Sequence, residues 1–386
     1  MNKQVSHIPS GYKPSPLGPI PEDWEVKRLG EIGEVLMCKR IMKYQTDSCG
    51  DIPFFKIGTF GGKPDAYISR EVYDEYKTKY SYPKVGDVLI SAAGTIGRSV
   101  IFDGTPSYYQ DSNIVWIDND NRQVLNKYLF YYYSTINWIT DTGTIPRLYN
   151  GTLKAIQIPT PPIKQQTRIV SILELWDTAI AKQTALIEKL TLCKRGLMQQ
   201  LLTGKKRLKG FSGEWKTIEL GDTLSYIQPT KYLVVNENYN DTYNTPVLTA
   251  GKTFILGYTD ETTGVFNDLP AIIFDDFTTE SQYVTFPFKA KSSAMKILKA
   301  HNSNLYFMFC AMQMIKYSIG GHERHWISKY SHLTLKVPSI EEQNTIASVL
   351  LQADKEIEIH KQKLAAMQEQ KRGLMQVLLT GKRRVK

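Results

Sequence analysis

The sequence contains one segment twice. Residues 194–209 read KRGLMQQLLTGKKRLK and residues 371–386 read KRGLMQVLLTGKRRVK, so 13 of 16 positions are identical. The offset of 177 residues holds without a gap back to residues 163 and 340, which makes the repeat about 47 residues long. A repeat of this length indicates two copies of one structural unit, and any fold of this chain has to accommodate it.

Each copy of the repeat has the apolar pattern of a coiled-coil helix. Its apolar residues recur at alternating steps of four and three, which places them along one narrow face. Two polar positions interrupt this face, Gln183 and Lys194 in the first copy and His360 and Lys371 in the second. Such a face needs a partner helix, and the other copy is the obvious candidate. The predicted helix-packing residues are Ile169, Leu173, Trp176, Ile180, Ile187, Leu190, Leu197, Leu201, Ile346, Leu350, Ile357, Leu364, Met367, Leu374 and Leu378.

The ends of both helices are marked in the sequence. Two prolines precede the first helix, and Ser339 opens the capping-box segment SIEE before the second. Gly204 and Gly381 stand where C-terminal caps are expected. Gly196 and Gly373 fall inside the helical pattern, where they predict a close approach of helices or a bend.

Each helix follows a globular region that begins near a tryptophan. PEDWEVKRLGEI at residues 21–32 is similar to SGEWKTIELGDT at residues 212–223. Strand-like segments follow in both regions, among them DIPFFKIG, NIVWID, TPVLTAG and PAIIFDD, and a helical stretch is predicted near each end, at residues 127–140 and 303–319. The sequence thus predicts two α+β domains, at residues 1–160 and 210–337, and two helical spacers, at residues 161–209 and 338–386.

Connection lengths predict how these parts are arranged. About ten residues join the end of the first helix to the second domain, and that domain runs directly into the start of the second helix. The second helix should therefore begin where the first one ends, so that the two run antiparallel. The expected fold is α+β, with two globular domains separated by two long antiparallel helices that form a coiled-coil spacer and relate the halves by a pseudo-twofold axis.

The formal net charge is +10, but its position matters more than its total. The two 16-residue repeats contain 6 Lys/Arg each and no Asp/Glu, which leaves 36 basic and 38 acidic residues elsewhere. Any nucleic-acid surface outside the repeats must therefore be a local patch. The basic repeats themselves fit two interpretations, a solvated helix end favoured by the helix dipole or a contact with phosphate.

The cysteines and apolar segments indicate the compartment. Cys38, Cys49, Cys193 and Cys310 lack the paired spacing of a disulfide framework or a zinc site, so no metal site is expected. No apolar run approaches the ~18 residues of a membrane-spanning helix, and the N-terminal sequence lacks a signal-peptide core. We expect a folded, soluble protein of the cytoplasm.

Several segments together resemble one known family, and the resemblance covers essentially the whole chain. They are the KRGLMQ-x-LLTGK ends of both helices, the segment IPEDWE at residues 20–25, and GTIPR at residues 143–147, which runs on into IPTPPIKQQ. In this order they look like the specificity subunit of type I restriction-modification systems.

The resemblance implies a DNA-reading subunit without catalytic activity. In that family, each of two target-recognition domains binds one half of an interrupted, asymmetric site in double-stranded DNA. Two helical regions hold the domains apart and dock two methyltransferase subunits, and restriction subunits join some complexes. The cofactors, S-adenosylmethionine and ATP with Mg²⁺, belong to those partners, so none is expected on this chain.

Catalytic motifs are missing where they could have been found. An adenine methyltransferase needs an Asn/Asp-Pro-Pro-aromatic loop, whereas the adjacent prolines here read TPPI. The segment TAGKT at residues 249–253 ends like a phosphate-binding loop, but Pro246 stands where its first glycine should be. The segment HERH at residues 322–325 lacks the histidine spacing of a zinc helix.

Candidate DNA contacts of the first domain lie in glycine-rich and polar loops. KIGTFGGK at residues 56–63 and SAAGTIGR at residues 91–98 combine cations with glycines that let the backbone approach phosphate. YYQDSN at residues 108–113 adds side chains able to bond base edges, and Arg147 is the strongest candidate for guanine or phosphate. The predicted DNA-binding residues are Lys56, Thr59, Lys63, Ser91, Thr95, Arg98, Tyr108, Gln110 and Arg147.

The second domain offers counterparts in four short segments. They lie around residues 231–232, in TAGK at residues 249–252, in FTTES at residues 277–281, and in the cluster at residues 324–329. For any one of them a structural role, such as a turn glycine, a surface lysine or a core tyrosine, is the alternative. The predicted DNA-binding residues are Lys231, Tyr232, Thr249, Lys252, Phe277, Thr278, Thr279, Arg324, His325, Trp326 and Lys329.

Two other functions compete with the DNA-reading subunit. A coiled-coil scaffold would assemble proteins without touching DNA. An enzyme fused with its own methyl-transfer or nuclease activity would turn over DNA unaided, which the missing motifs argue against.

Overall fold

The computed structural model describes residues 8–138, 147–251, 253–317 and 324–385. The chain divides into two compact units. Unit 1 comprises residues 1–183 and 363–386, and unit 2 comprises residues 184–362. Each unit therefore contains one globular region and a part of both long helices, a division that differs from the four consecutive segments expected from the sequence.

Unit 1 begins with eleven strands and four short helices among its described residues. The strands are β1 (Tyr12–Lys13), β2 (Ile20–Pro21), β3 (Glu25–Arg28), β4 (Val35–Met37), β5 (Ile52–Phe55), β6 (Tyr67–Ile68), β7 (Val88–Ser91), β8 (Ser99–Ile101), β9 (Tyr108–Tyr109), β10 (Ile114–Ile117) and β11 (Gln157–Thr160). The short helices are α1 (Leu29–Ile32), α2 (Arg70–Lys79), α3 (Asn126–Tyr133) and α4 (Asn150–Ala155), with a 3₁₀ turn at Lys43–Gln45. The first long helix, α5 (Ile163–Leu201), follows β11.

Unit 2 has a similar series of elements. The strands are β12 (Lys216–Glu219), β13 (Leu224–Ile227), β14 (Thr245–Leu248), β15 (Ile255–Thr259), β16 (Ala271–Asp275), β17 (Ser281–Val284), β18 (Lys289–Ala290), β19 (Met295–Ala300) and β20 (Thr334–Val337). The helices are α6 (Leu220–Thr223) and α7 (Leu305–Met312), with 3₁₀ turns at Pro229–Tyr232 and Tyr330–His332. The second long helix, α8 (Ile340–Leu378), follows β20.

The two globular regions share one sheet topology. A four-stranded antiparallel sheet has the order β4-β10-β7-β8 in unit 1 and β13-β19-β16-β17 in unit 2. A mixed three-stranded sheet has the order β6-β5-β9 in unit 1 and β15-β14-β18 in unit 2, and its last pair is parallel in both. The last strand of each region pairs with a strand near its beginning, β11 with β3 and β20 with β12. The weak sequence similarity of these regions therefore reflects a repeat of the sheet topology.

Each globular region packs on the helix segments of its own unit. In unit 1, Trp24, Leu29 and Ile158 share one core with Leu173 of α5 and Leu378 of α8. In unit 2, a core containing Leu220, Phe307 and Trp326 includes Leu201 of α5 and Leu350 of α8. Burial of these apolar surfaces is the main force that holds each region to its helices.

The long helices have the ends that the repeat predicts. Both are 39 residues long and begin and end at positions related by the 177-residue offset. The Ser339 hydroxyl accepts a hydrogen bond from the Glu342 amide at 3.4 Å, which caps α8. Gly204 and Gly381 follow the helices with φ of +69° and +73°, the left-handed conformation that a glycine cap provides. The predicted caps at both C-terminal ends are confirmed.

The helix faces also follow the sequence pattern. Each of the fifteen predicted packing side chains is buried or half-buried. Within unit 1, Asp177 of α5 pairs with Lys371 of α8, and within unit 2, Lys194 of α5 pairs with Asp354 of α8. Each unit thus joins its own segments of α5 and α8 through one ion pair. A Cβ added at Gly196 or Gly373 would meet no atom within 4 Å, so the expected close approach of helices at these glycines is wrong.

The α+β class with two domains is confirmed, and some local expectations are corrected. Helices α3 and α7 are shorter than the predicted stretches at residues 127–140 and 303–319. Helix α2 was not anticipated in a region that reads as strands and turns; its N-cap Ser69 accepts a hydrogen bond from Val72 N. Among the described residues, no helix is both long and apolar enough to cross a bilayer.

Candidate nucleic-acid interface

A polar groove of about 400 Å³ lies in unit 1 where the mixed sheet meets the loop between β9 and β10. It carries three cationic side chains and several groups able to bond base edges. The lining residues are Arg40, Ile41, Lys43, Thr46, Phe54, Lys56, Gln110, Asp111, Ser112 and Asn113. Such a set can contact phosphate through its cations and read a base through its amides and hydroxyls.

Backbone pairing holds the loop of this groove in place. The Gln110 amide donates to Phe55 O at 2.9 Å, and the Gln110 side-chain oxygen accepts from Ile57 N at 2.9 Å. Ser112 adopts φ of +53°, which turns the chain sharply between β9 and β10. The parallel β5–β9 pair thus carries the polar loop to the end of the sheet.

Two of the three cations of the groove, Arg40 and Lys56, form ion pairs. Arg40 lies 2.9 Å from Asp111, and Lys56 lies 2.9 Å from Asp65. The Lys56–Asp65 pair is exposed on both sides and contributes roughly 0–1 kcal/mol, so a phosphate can replace its carboxylate at little cost, whereas Asp111 is half-buried. Lys63 and Arg98 are also exposed, although Arg98 donates to Phe60 O at 2.8 Å.

Arg147 reaches the same loop from another part of the chain. Its backbone forms a β-bridge with Ala93, and the following amide of Leu148 donates to Ala92 O at 2.8 Å. The Arg147 guanidinium donates to Ser112 O at 3.3 Å. The strongest candidate from the sequence therefore lies beside the groove loop, whereas the rest of its segment, residues 143–146, lies outside the described residues.

The loop at residues 91–98 has a mainly structural role. The Ser91 hydroxyl donates to Thr95 O at 2.5 Å and accepts from Arg98 N at 2.9 Å, and Ser91 is buried. Gly97 has φ of +83°, and an added Cβ would come 2.0 Å from Trp138 Nε1. Ser91 therefore closes the loop from inside, which corrects its assignment as a DNA contact, while Thr95 stays exposed.

Hydrogen bonds identify the corresponding positions in unit 2. Lys291 N donates to Leu248 O at 3.0 Å, as Gln110 N does to Phe55 O. His325 N donates to Asp276 O at 2.9 Å, as Leu148 N does to Ala92 O. Arg324 therefore occupies the place of Arg147, Lys291 that of Gln110, and Thr249 that of Lys56.

The polar positions of unit 2 differ chemically from those of unit 1. Arg324, Thr278 and Lys231 are exposed, and Phe277 is 38% exposed at the tip of the loop between β16 and β17. The amides of Phe277 and Thr278 donate to Asp275 at 2.9 and 2.8 Å, which fixes this turn. Thr279 has φ of +59° in the same turn, Lys329 is exposed, and Lys252 lies outside the described residues.

Three predicted contacts, and Tyr109 beside a fourth, serve locally instead. Thr59 accepts from Lys56 N at 3.1 Å, and Thr249 donates to Thr253 O at 2.6 Å. Tyr232 is half-buried with its ring edge on Phe266, at 5.0 Å between centroids. Tyr109 stacks on Phe55 inside the mixed sheet. These groups shape the loops rather than present free polar atoms.

Three further predictions are wrong because the side chains are buried. Tyr108 has no exposed surface and packs against Tyr76 and Tyr82. Burial also raises the pKa of Tyr108, which keeps its hydroxyl neutral. His325 and Trp326 are 0% and 2% exposed and lie below the surface of unit 2. None of the three can reach a duplex in this fold.

The sequence missed several groups that the fold brings to these positions. Arg40, Lys43 and Thr46 enter the groove of unit 1 from the segment after β4, and Lys291 follows β18 in unit 2. The only available signals were the polar segment that follows β4 and the lysine that follows β18, and both strands were too short to recognise. Among the described residues, no group of three His, Cys, Asp or Glu could hold a metal ion.

Known proteins match this chain over most of its length. A putative type I restriction enzyme specificity subunit from Haemophilus influenzae is 64% identical over 160 residues, which are 41% of this chain and 42% of that protein. The putative type I restriction enzyme MjaX specificity subunit from Methanocaldococcus jannaschii is 27% identical over 425 residues and 97% of both chains. The match thus spans about two fifths of the Haemophilus relative and nearly all of the Methanocaldococcus one.

A solved structure has the same fold. The S subunit of a type I restriction-modification system from M. genitalium superposes with a TM-score of 0.61, at 14% identity, over 92% of this chain and 96% of that one. The family described as type I restriction modification DNA specificity domain matches residues 21–192 and 212–369. The chain therefore belongs to the family of type I restriction-modification DNA specificity domains, of which it contains two copies.

Proposed function

We propose that this chain is the DNA specificity subunit of a type I restriction-modification complex and has no catalytic activity of its own. The observation that carries the proposal is the pair Arg147 and Arg324. Each arginine stands at the same place in one repeated topology, next to a loop of polar side chains. Two such places in a chain of this family fit the reading of two half-sites in double-stranded DNA, one by each unit.

The two half-sites should differ in sequence. Around Arg147 the neighbouring polar groups are Gln110 and Asn113, whereas the position of Gln110 is taken by Lys291 in unit 2. An amide side chain favours adenine, and a lysine favours guanine or phosphate. The chain would therefore recognise an asymmetric, bipartite site.

The long helices would set the spacing of the two half-sites. Helices α5 and α8 each contribute one part to unit 1 and another to unit 2. Equal insertions or deletions in both helices should change the unspecified spacer of the recognised DNA. Unchanged spacing in such variants would contradict this part of the proposal.

The partners would be two methyltransferase subunits docked on the helices, with restriction subunits in some complexes. S-adenosylmethionine, ATP and Mg²⁺ would belong to those subunits, and this chain would need no cofactor. Half-exposed and exposed apolar side chains remain on the helices, for example Leu175 at 70% and Ile359 at 63% exposure. Scattered residues of this kind are common on folded proteins, so the docking of these partners is proposed from the family alone.

Mapping methylated adenines tests the proposal directly. A genome or plasmid library is exposed to this chain with its methyltransferase subunit, and all modified sites are sequenced. We expect one bipartite motif, altered in one half by Arg147→Ala and in the other half by Arg324→Ala. A scaffold without DNA contact would give the same modified sites in both variants and the wild type. Methylation by the chain alone would instead indicate an enzyme.

A further inference from the structure

Unit 2 buries three ionisable side chains beneath its candidate interface. Asp276 and Lys296 are 1% and 0% exposed, with Lys296 Nζ 3.5 Å from Asp276 Oδ2. His325 is also fully buried, and its Nδ1 lies 3.1 Å from the Tyr317 hydroxyl. Removing charges from water is costly, so a group of this kind needs a reason to persist.

The same three positions are apolar in unit 1. Pairing of Met295 with Asp275 corresponds to pairing of Ile114 with Ser91, so the residues that follow correspond as well. This register is joined by the matching hydrogen bonds from Leu148 N to Ala92 O and from His325 N to Asp276 O. Unit 1 therefore has Ala92, Val115 and Leu148 where unit 2 has Asp276, Lys296 and His325. The shared topology therefore does not by itself require charges at these positions.

Asp276 holds the backbone directly after Arg324. Its carbonyl accepts from His325 N at 2.9 Å, and its carboxylate Oδ1 accepts from Trp326 N at 2.7 Å. The other carboxylate oxygen faces Lys296, whose Nζ lies 5.1 Å from the centre of the Tyr226 ring. Lys296 is thus the cation that lies beside the carboxylate of Asp276. In unit 1, the methyl side chain of Ala92 cannot accept a hydrogen bond as Asp276 Oδ1 does from Trp326 N.

The two arginines are held in different ways. The Arg147 guanidinium bonds Ser112 O and is fixed through its own side chain. Within the part of the chain that the structure describes, the Arg324 guanidinium makes no hydrogen bond or ion pair, and its position depends on its backbone.

We propose that Asp276 and Lys296 are positioning residues that set Arg324 for reading the half-site of unit 2. The proposal rests on the proposed function. It implies that base discrimination in one half-site depends on a buried ion pair and that discrimination in the other half-site does not.

The test uses the complex of the full chain with its methyltransferase subunit and a library of variant sites. The triple variant D276A/K296V/H325L copies the residues of unit 1 and should keep the fold. We expect discrimination at the unit 2 half-site to fall about tenfold, as for Arg324→Ala, because one good side-chain contact to a base supplies roughly that factor. Discrimination at the unit 1 half-site should not change. Wild-type discrimination at both half-sites in a folded triple variant overturns the proposal.

A milder variant decides the question if the triple variant does not fold. Asp276→Asn keeps the size of the side chain and an acceptor for Trp326 N but loses the attraction to Lys296. We expect a several-fold loss confined to the unit 2 half-site, and unchanged discrimination there overturns the proposal. Arg324→Ala distinguishes failure of the proposed function from failure of this inference. If Arg324→Ala alters recognition of no half-site, the proposed function fails. If it alters recognition of the unit 2 half-site and the variants of the buried residues do not, only this inference fails.

Discussion

Lys371 donates a hydrogen bond of 2.5 Å to Asp177, joining α8 to α5 inside unit 1. The second carboxylate oxygen of Asp177 accepts from the Tyr131 hydroxyl at 2.6 Å, so a helix of the globular region is attached to the same carboxylate. Lys371 also lies over the Tyr131 ring, 5.1 Å from its centre. One aspartate therefore links three elements of unit 1.

Unit 2 repeats this cluster. Lys194 donates to Asp354 at 2.5 Å, and the Tyr306 hydroxyl donates to the other oxygen of Asp354. Lys194 and Lys371 are the polar positions that interrupt the apolar face in both repeats. A polar residue at such a position typically fixes the register of paired helices at some loss of stability. The interruptions at Lys194 and Lys371 are thus explained by one ion pair each.

Neutralising either aspartate should weaken its own unit. For Asp177→Asn and Asp354→Asn we expect the free energy of unfolding to fall by about 1–2 kcal/mol, because a half-buried lysine loses its charged acceptor. Chemical denaturation of the full chain measures the change. Glu188→Gln, on an exposed position of α5, is the matched control and should stay within about 0.5 kcal/mol of the wild type. Equal effects in all three variants would contradict a specific role of the clusters.

Alkaline pH should destabilise the fold through its buried tyrosines. Burial raises the pKa of Tyr132 and of Tyr330 to about 12, and it also raises the pKa of Tyr131 and Tyr306. Folding therefore favours the neutral phenol, so this stability is complete below the ordinary pKa of about 10 and is lost as the pH rises toward 12. Tyrosinate absorbance and circular dichroism, followed together through this range, should show delayed ionisation that coincides with unfolding. Complete ionisation near pH 10 with the fold retained would refute the prediction.

The four thiols should separate into two reactive and two protected groups. Cys49 and Cys193 are exposed, whereas Cys38 and Cys310 are buried. Burial raises the pKa of Cys38 to about 12 and that of Cys310 to about 11, so little thiolate is present at pH 8. We expect a maleimide or disulfide reagent to modify two thiols rapidly in the native protein and all four in denaturant. Rapid modification of Cys38, located by mass spectrometry of peptides, would show that its packing is not as described.

Gly97 should tolerate no side chain. Gly97→Ala places a Cβ against Trp138 at a backbone conformation with positive φ, and we expect a loss of about 2 kcal/mol or more. The loop at residues 91–98 would shift, and reading of the half-site by unit 1 should weaken with it. Gly151→Ala, in α4 with no atom within 4 Å of the added Cβ, is the control and should be neutral or slightly stabilising. Thermal unfolding and methylation mapping distinguish the two.

The sequence by itself determined the two long helices. Their apolar face, their caps at Ser339, Gly204 and Gly381, and their common offset depend on residues that are neighbours in the chain, and such local signals persist in the fold. Family membership was also visible, because its segments are contiguous and occur in order. The core strands β5, β10, β14 and β16 were recognisable from their apolar runs for the same reason.

Only the tertiary structure decided which polar residues face outward. Tyr108, His325 and Trp326 look like recognition residues in the sequence, yet all three are buried, Tyr108 by strand pairing and the other two in the turn that follows residue 324. The groove of unit 1 is lined by side chains from segments up to about 70 residues apart. The position of Arg147 beside this groove becomes apparent only through its bridge to Ala93. The direction of a side chain in a sheet depends on register and on which face is covered, and both are set by contacts between segments far apart in the chain.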